Sequence, residues 1–369
     1  MKNKNAVLKI LAELCRLLIG VVFIFSGFVK AVDPMGGAIK IGEYLASFGL
    51  DMLQPFTVLL SFNLSAIEFA LGVCMLLGVY RRYVSFLILI FMAFMTPLTL
   101  YLALFDPVSD CGCFGDALVI SNWETFFKNI VLSLAAIVTF IYNQRLFQCF
   151  TFRAYWFVAL YAYLFGVGFA YYNYNHLPVI DFRPYKIGAN IPKLMEMPEE
   201  APQDEYKYTF VYEKDGVKKE FSLEDYPAND SSWTFVDSKT ELVKKGYQPP
   251  VAAFNIYNGK GDDVTEEIIG NPGPVLLLVA PKLEEADDEQ MDEINGVYDY
   301  ALEHDIPFYC VTGSSPEAID TWSDNTGAEY PFRMADEVLL KTIIRSNPGL
   351  VLLKGGTICL LYTSPSPRD

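Results

Sequence analysis

Five apolar stretches alternate with short polar segments in the first half of the chain. Each is close to the roughly 20 residues of helix that a bilayer core requires, so the pattern predicts five transmembrane helices. Basic residues precede the first stretch, but Arg16 interrupts it and no cleavage site of small residues follows. These features favour a retained span over a signal peptide. The five stretches are Ile10–Val32, Phe56–Val79, Val84–Phe105, Phe126–Tyr142 and Tyr155–Tyr172.

Lysine and arginine in the short loops predict the orientation of these spans. One set of loops holds Lys2, Lys4, Lys9, Arg81, Arg82, Arg145 and Arg153. The positive-inside rule makes that side cytoplasmic, and an odd number of spans then puts everything after Tyr172 outside. We therefore expect a protein of the bacterial inner (cytoplasmic) membrane, with a cytoplasmic N-terminus and a periplasmic C-terminal half.

The second half of the chain has a different pattern of hydrophobic and polar positions. A proline-containing segment after the fifth stretch predicts a stalk without helix. The run KYTFVYEKDGVKKEFSL alternates around an Asp-Gly turn and predicts a β-hairpin. Further on, PVLLLVA, IPFYCVT and GLVLLKGGTI alternate with helical segments, which is typical of an α/β domain.

The expected domains are a membrane bundle at 1–145, a fifth span at 146–175, a linker and hairpin region at 176–250, and an α/β domain at 251–358. We interpret the tail, 359–369, as non-native because its pattern breaks off into Ser, Pro and Arg. Charge supports the division: 11 Lys and Arg stand against 9 Asp and Glu up to Asn175, and 17 against 35 from His176, which is a change from +2 to −18. An acidic soluble half argues against nucleic acid as a partner.

Two cysteines one residue apart stand in the loop between the third and fourth spans, in the run DCGCFGD. Cys111 and Cys113 are candidates for a redox pair, for half of a metal site, or for small residues in a tight turn. A disulfide between them would close a small ring, and strained bridges are the readily exchanged ones. Asp110 and Asp116 flank the pair, and negative charge disfavours a thiolate. No histidine is nearby, which weakens the metal alternative.

Glu68 lies inside the second predicted span. A charged carboxylate at that depth costs about 3 kcal/mol on insertion scales unless it has a partner or a proton. It is either a neutral carboxyl hydrogen-bonded in the bundle, near Asn63 and Ser65, or a proton relay or quinone contact. Arg16 can pair with Glu13 on one helix face, and both Arg16 and Lys30 can extend towards the interfaces.

These motifs together resemble the DoxX-like superfamily of membrane proteins, and CGCFGD is more similar to its MauE branch. The resemblance covers about Arg16 to Tyr142 and rests on the pattern R-x3-G-x5-SG-x2-K, on the helix with Glu68, and on the loop 111–116. It implies a four-span bundle. DoxX members are linked to quinone-coupled oxidation, and MauE is linked to maturation of a periplasmic, disulfide-rich enzyme subunit. Arg16, Lys30 and Asp116 become candidate binding residues on this resemblance.

The α/β segment from about Ala252 to Ile358 resembles the thioredoxin-like fold. Pro348, directly before the strand GLVLL, stands where that family has its cis-proline, and an X-Pro bond makes a cis form accessible. The family's C-x-x-C position holds APKLEEAD, which has no cysteine. The resemblance therefore implies a redox-inactive docking domain.

The sequence as a whole predicts an envelope membrane protein with an α-helical bundle, an added span and a soluble α/β thioredoxin-like domain. Its expected role is thiol–disulfide or quinone-linked electron transfer, as a component of a membrane oxidoreductase, in support of a periplasmic protein client or redox partner. Cys111 and Cys113 would exchange, Glu68 would handle a proton or contact a quinone, and a quinone is the expected cofactor. The alternative is a non-enzymatic membrane scaffold in which the cysteines only brace a loop.

Overall fold

The computed structural model describes residues 2–105, 111–198, 205–214, 217–222, 233–244, 249, 251 and 254–363. The first part is a helical bundle, and the remainder forms two β-sheets with helices around one of them. The helices of the bundle are α1 (Lys2–Val32), α2 (Pro34–Ser47), α3 (Thr57–Leu77), α4 (Arg81–Phe105), α5 (Asn122–Ile141) and α6 (Tyr155–Asn175).

Four helical segments within the described residues are long and apolar enough to cross a membrane. Their outer faces expose large apolar side chains such as Phe94, Leu134 and Phe157, as contact with lipid requires. They overlap the predicted second to fifth spans, whereas α1, which holds the predicted first span, is not among them. A total of five spans is therefore not confirmed. The four segments are Asp51–Leu77, Arg81–Phe105, Asn122–Ile141 and Phe152–Asn175.

Glycines let α1 and α3 approach each other closely. A Cβ added at Gly27 would lie 2.6 Å from the carbonyl oxygen of Ser65, and one at Gly72 would lie 2.6 Å from the amide nitrogen of Ile24. Small residues at such crossings allow two backbones to come into contact. The last turns of α1 consequently lie against the middle of α3, where Glu68 is located.

The rest of the chain contains, in order, α7 (Ile191–Met195), β1 (Glu205–Lys214), β2 (Val217–Ser222), β3 (Thr234–Lys244), α8 (Thr265–Ile269), β4 (Pro274–Ala280), α9 (Met291–Glu303), β5 (Phe308–Thr312), α10 (Pro316–Thr326), β6 (Phe332–Met334), α11 (Glu337–Ile343), β7 (Gly349–Lys354) and β8 (Thr357–Thr363).

The soluble body is a mixed sheet in the order β6-β5-β4-β7-β8, with helices on both faces. Alternate residues of β4 point to opposite faces, so that Leu276 and Leu278 pack with α9 and α10 while Val275 and Leu277 pack with α8 and α11. This agrees with the expected α/β architecture, and the thioredoxin-like identity stays a prediction.

Two boundaries differ from those expected. The segment predicted as a stalk contains the short helix α7, and its side chains Tyr185 and Ile191 are buried in the sheet core with Phe254. The stalk prediction was wrong because the apolar residues of this proline-containing segment cover one face of the sheet. Strand β8 also extends through Thr363 into the predicted non-native tail, while residues 364–369 lie outside the described part.

The predicted hairpin is confirmed by the antiparallel pairing of β1 with β2. The sequence did not indicate the third strand of this sheet, β3, which pairs with the other edge of β1. The Asp-Gly turn itself lies outside the described residues.

The close crossing of α1 and α3 predicts that Gly27→Ala destabilises the bundle. The added methyl group would meet the α3 backbone and force the helices apart, at a cost of about 1–3 kcal/mol for overpacking. The midpoint of thermal unfolding in detergent should fall. Gly168→Ala on α6 is the matched control, because nothing lies within 4 Å of its added Cβ. Equal midpoints for the two variants would contradict the close crossing.

Candidate functional site

A buried ion pair lies at one end of the bundle. Lys30 Nζ, in the last turn of α1, is 2.6 Å from Oε1 and 2.9 Å from Oε2 of Glu68 on α3. The two side chains are only 11% and 3% exposed. From the sequence, a neutral, hydrogen-bonded carboxyl at Glu68 was one alternative. The structure instead shows an ion pair, because the close crossing of α1 and α3 brings Lys30 to Glu68 and Lys30 does not extend into solvent.

Ser26 connects this ion pair to the cysteine loop. Its hydroxyl oxygen is 2.7 Å from Glu68 Oε2 and 2.7 Å from the backbone carbonyl oxygen of Cys113. One turn of helix separates Ser26 from Lys30, so both side chains leave the same face of α1. The expected neighbours Asn63 and Ser65 do not take this role: Asn63 accepts a hydrogen bond from Tyr163, and Ser65 donates to the carbonyl of Phe62.

The two cysteine side chains lie side by side. Their Sγ atoms are 2.7 Å apart and carry no disulfide bond in the structure. Gly112 and Gly115 have φ of +63° and +49°, which favours glycine, and so the loop can turn tightly enough to align the two side chains. Tyr44 of α2 donates a hydrogen bond of 2.6 Å to the carbonyl of Cys111 and holds the loop to the bundle.

The environment of Cys113 favours its thiolate. A hydrogen bond from Cys111 and the positive charges of Lys128 and Lys30 lower the pKa of the Cys113 thiol to about 6, although burial opposes the shift. The same hydrogen bond and burial raise the pKa of Cys111. The expectation that flanking aspartates would disfavour a thiolate was therefore wrong, because lysines face Cys113. Asp110 itself lies outside the described residues.

The loop and the ion pair share a small cavity of about 30 Å³. This volume holds a water molecule and is too small for a quinone ring. A larger cavity of about 440 Å³ lies between α3, α4 and α6 and is lined by side chains such as Leu71, Tyr83 and Ala159, with apolar surface only. It offers no polar surface to the carbonyl groups of a quinone, and a quinone cofactor stays a prediction.

Of the other predicted site residues, Asp116 lies at this end of the bundle and Arg16 lies at the opposite end. Asp116 Oδ2 is 3.7 Å from Nη2 of Arg345 in the soluble body, and the Asn347–Pro348 peptide bond nearby is cis. Arg16, about 20 Å away along α1, pairs with Glu13 as predicted and donates to the carbonyl oxygens of Met75 and Leu76. It therefore caps the end of α3 and does not belong to the cysteine site.

Three residues of the site were not recognised in the sequence as partners of the cysteines: Ser26, Lys128 and Arg345. The i, i+4 spacing of Ser26 and Lys30 within SGFVK was a usable signal. Arg345 gave none, because its partners lie in the bundle far away in sequence. Within the described residues, no group of three or more His, Cys, Asp or Glu side chains is arranged to hold a metal ion.

Comparison with known protein families gives two matches. Residues 8–142, which include most of α1, all of α2 to α5 and the cysteine loop, match the model of the methylamine utilisation protein MauE. Together with the apolar helices, this supports a MauE/DoxX-like membrane family for that part of the chain. Residues 206–245, which contain most of the three-stranded sheet, match a domain of unknown function, DUF8463. The comparison with curated proteins found no match.

The buried ion pair predicts a characteristic mutational pattern. Lys30→Met or Glu68→Met alone leaves one buried charge without its partner and should cost about 3–5 kcal/mol, whereas the double replacement removes both charges and should be much milder. Thermal unfolding of the two single variants and the double variant tests this. A double variant less stable than both single variants would contradict the pairing.

The lowered pKa of Cys113 predicts the pH dependence of its alkylation. Because the thiolate is the reactive form, the rate should fall as the pH drops through about 6, instead of through the ordinary value of 9.0. Cys111→Ala and Lys128→Gln should each move this midpoint upward. Lys193→Gln serves as a charge control, because Lys193 is an exposed residue of α7. A midpoint that stays near 9 in the unaltered protein would contradict the described electrostatics.

Proposed function

We propose that this chain is an envelope membrane protein in which Cys111 and Cys113 exchange thiol and disulfide with a partner protein. One observation carries the proposal: two adjacent sulfur atoms, one of them with a thiol pKa of about 6, lie beside lysine side chains and a buried ion pair. The match to MauE supports a membrane protein associated with a redox or maturation process. A loop cysteine of purely structural use would not require such an environment.

The exchange begins at Cys113. This residue is more exposed than Cys111, and its thiolate attacks one sulfur of a partner disulfide, so that a mixed disulfide forms and the partner's other sulfur leaves as a thiolate. Cys111 then loses its proton and attacks Sγ of Cys113, which releases the partner with two thiols. Two electrons thus pass from the pair to the partner, and the reverse sequence delivers a disulfide to a partner dithiol.

The buried groups hold the pair in this geometry. Lys30 keeps a positive charge near the Cys113 sulfur and is itself fixed by Glu68. Ser26 has one proton to donate and two acceptors, namely the Glu68 carboxylate and the Cys113 carbonyl. It can therefore switch its hydrogen bond when the loop changes between the dithiol and the disulfide form.

A quinone acceptor stays a prediction for this protein. Neither cavity described above combines the required volume with polar groups, and we derive no step through a quinone. The location in the inner membrane and the periplasmic position of the soluble body are likewise proposed from the loop charges. The contact between Arg345 and Asp116 supports one part of that topology, since it brings the soluble body and the cysteine loop to the same end of the bundle.

The soluble body is proposed to act as a docking domain. Its segment after β4, around Leu283 and Glu284, has no cysteine, and Cys310 is fully buried in β5, where burial raises the pKa of its thiol. Cys359, the other cysteine of this body, is exposed on β8 within the predicted non-native tail. The docking role therefore rests on the missing C-x-x-C pair and not on a lack of thiols.

Oxidised glutathione tests the exchange directly. The unaltered protein should form the Cys111–Cys113 disulfide and release two glutathione thiols, because Cys111 resolves the mixed disulfide. Cys111→Ser should instead accumulate glutathione on Cys113, and this is measurable by mass spectrometry of the peptide that contains residue 113. Cys113→Ser is the matched variant and should accumulate far less, since the remaining thiol is buried with a raised pKa. Equal, slow modification of both variants would contradict the proposal and favour the alternative, a non-enzymatic membrane scaffold.

A further inference from the structure

An arginine of the soluble body reaches into the membrane bundle. Arg345 follows α11 and donates from Nε to Asp33 Oδ1 at 3.1 Å and from Nη2 to Asp33 Oδ2 at 2.6 Å. This fork-to-carboxylate geometry is the strong form of an ion pair. The two side chains are 13% and 19% exposed, so water screens the contact less than it would an ordinary surface pair.

Both sides of the cysteine loop are connected to this arginine. On one side Asp116, three residues after Cys113, has Oδ2 3.7 Å from Nη2 of Arg345. On the other side Asp33 caps α2 by accepting a hydrogen bond from the amide of Gly36, and Tyr44 of the same helix donates to the Cys111 carbonyl. Movement of Arg345 therefore affects the loop from two directions.

The surrounding charges favour a docked soluble body. Arg183, in the segment between α6 and α7, is paired with Asp181 at 2.7 Å and has a side chain only 1% exposed. Burial alone would raise the pKa of Asp33, but Arg345, and more weakly Arg183, hold it below its ordinary value. Asp33 is therefore a carboxylate whose charge is balanced chiefly from the soluble body.

Polar side chains next to Arg345, and Arg183 itself, have hydrogen-bonding capacity that the described structure does not use. Among the described residues, Ser346 Oγ and Asn347 Oδ1, which follow Arg345 directly, and Nη1 of Arg183 are buried without a hydrogen-bond partner. Buried polar atoms without partners are uncommon and costly. A partner polypeptide that bound at the segment after Arg345 would find two polar side-chain atoms there without a partner in the described part of the chain.

We propose that the soluble body docks on the cysteine-bearing loop through Arg345, and that release of this contact gives partner proteins access to Cys113. The inference rests on the proposed function, in which Cys111 and Cys113 form the exchanging pair. Asp33 and Asp116 are positioning residues in this account. The partner is a protein that carries an accessible disulfide or dithiol and offers peptide groups to the segment Arg345–Asn347.

Alkylation of the reduced full-length protein with a charged maleimide measures this access. The rate is followed by mass spectrometry of the peptide that carries both cysteines, at a pH well above 6 so that the thiolate is present in every variant. Arg345→Ala should raise the rate by about tenfold or more, because removing one partner of a part-buried ion pair weakens the contact strongly. Lys341→Ala is the matched control: Lys341 pairs with Glu337 on α11, and its backbone carbonyl stays in place for Arg345.

Asp33→Asn gives an independent variant, because asparagine can still cap α2 while the charge is lost. It should raise the rate in the same direction, and the double variant Asp33→Asn with Arg345→Ala should be no faster than Arg345→Ala, since both remove one interaction. An unchanged rate in a folded Arg345→Ala protein, or fully additive effects, would overturn the inference. This labelling needs no exchange activity, so failed exchange with glutathione would remove the proposed function and leave the docking contact standing.

Discussion

The pairing of Lys30 with Glu68 is the interaction on which the rest of the bundle's chemistry depends. A carboxylate in the middle of an apolar helix requires a partner, and the close crossing of α1 and α3 supplies one. The same crossing points Ser26 at the cysteine loop and brings a positive charge to Cys113. Packing between two helices therefore determines the electrostatics of two sulfur atoms in a neighbouring loop.

The soluble body contributes to the same site through Arg345 and not through a cysteine. Arg345, three residues before the cis-proline, contacts Asp33 at the start of α2 and Asp116 of the loop. The site thus combines a bundle that carries the two cysteines with a domain whose Arg345 contacts Asp116 of their loop. Such a division suits exchange with large partners, because a docking surface can select a partner protein before the partner's sulfur atoms approach Cys111 and Cys113.

The sequence was most informative where a periodic pattern decides the structure. The apolar stretches predicted the membrane-capable helices, and strand-helix alternation predicted the soluble body. A periodic pattern could not predict the two ion pairs of the site. Lys30 contacts Glu68 only because two helices cross closely, and Arg345 contacts Asp33 across 312 residues of sequence. The stalk prediction failed for a related reason: proline and charge indicate irregular backbone, but they do not show that Tyr185 and Ile191 are needed to cover a sheet.

The central claim is that Cys111 and Cys113 form an exchanging pair with a stabilised thiolate. A redox titration of the purified protein in glutathione buffers, read by mass on the peptide that contains both residues, tests it most directly. Because a stabilised thiolate favours the reduced form, the account predicts a two-electron transition at a potential above the roughly −300 mV typical of structural disulfides. A pair that stays fully reduced or fully oxidised across the accessible range would contradict it.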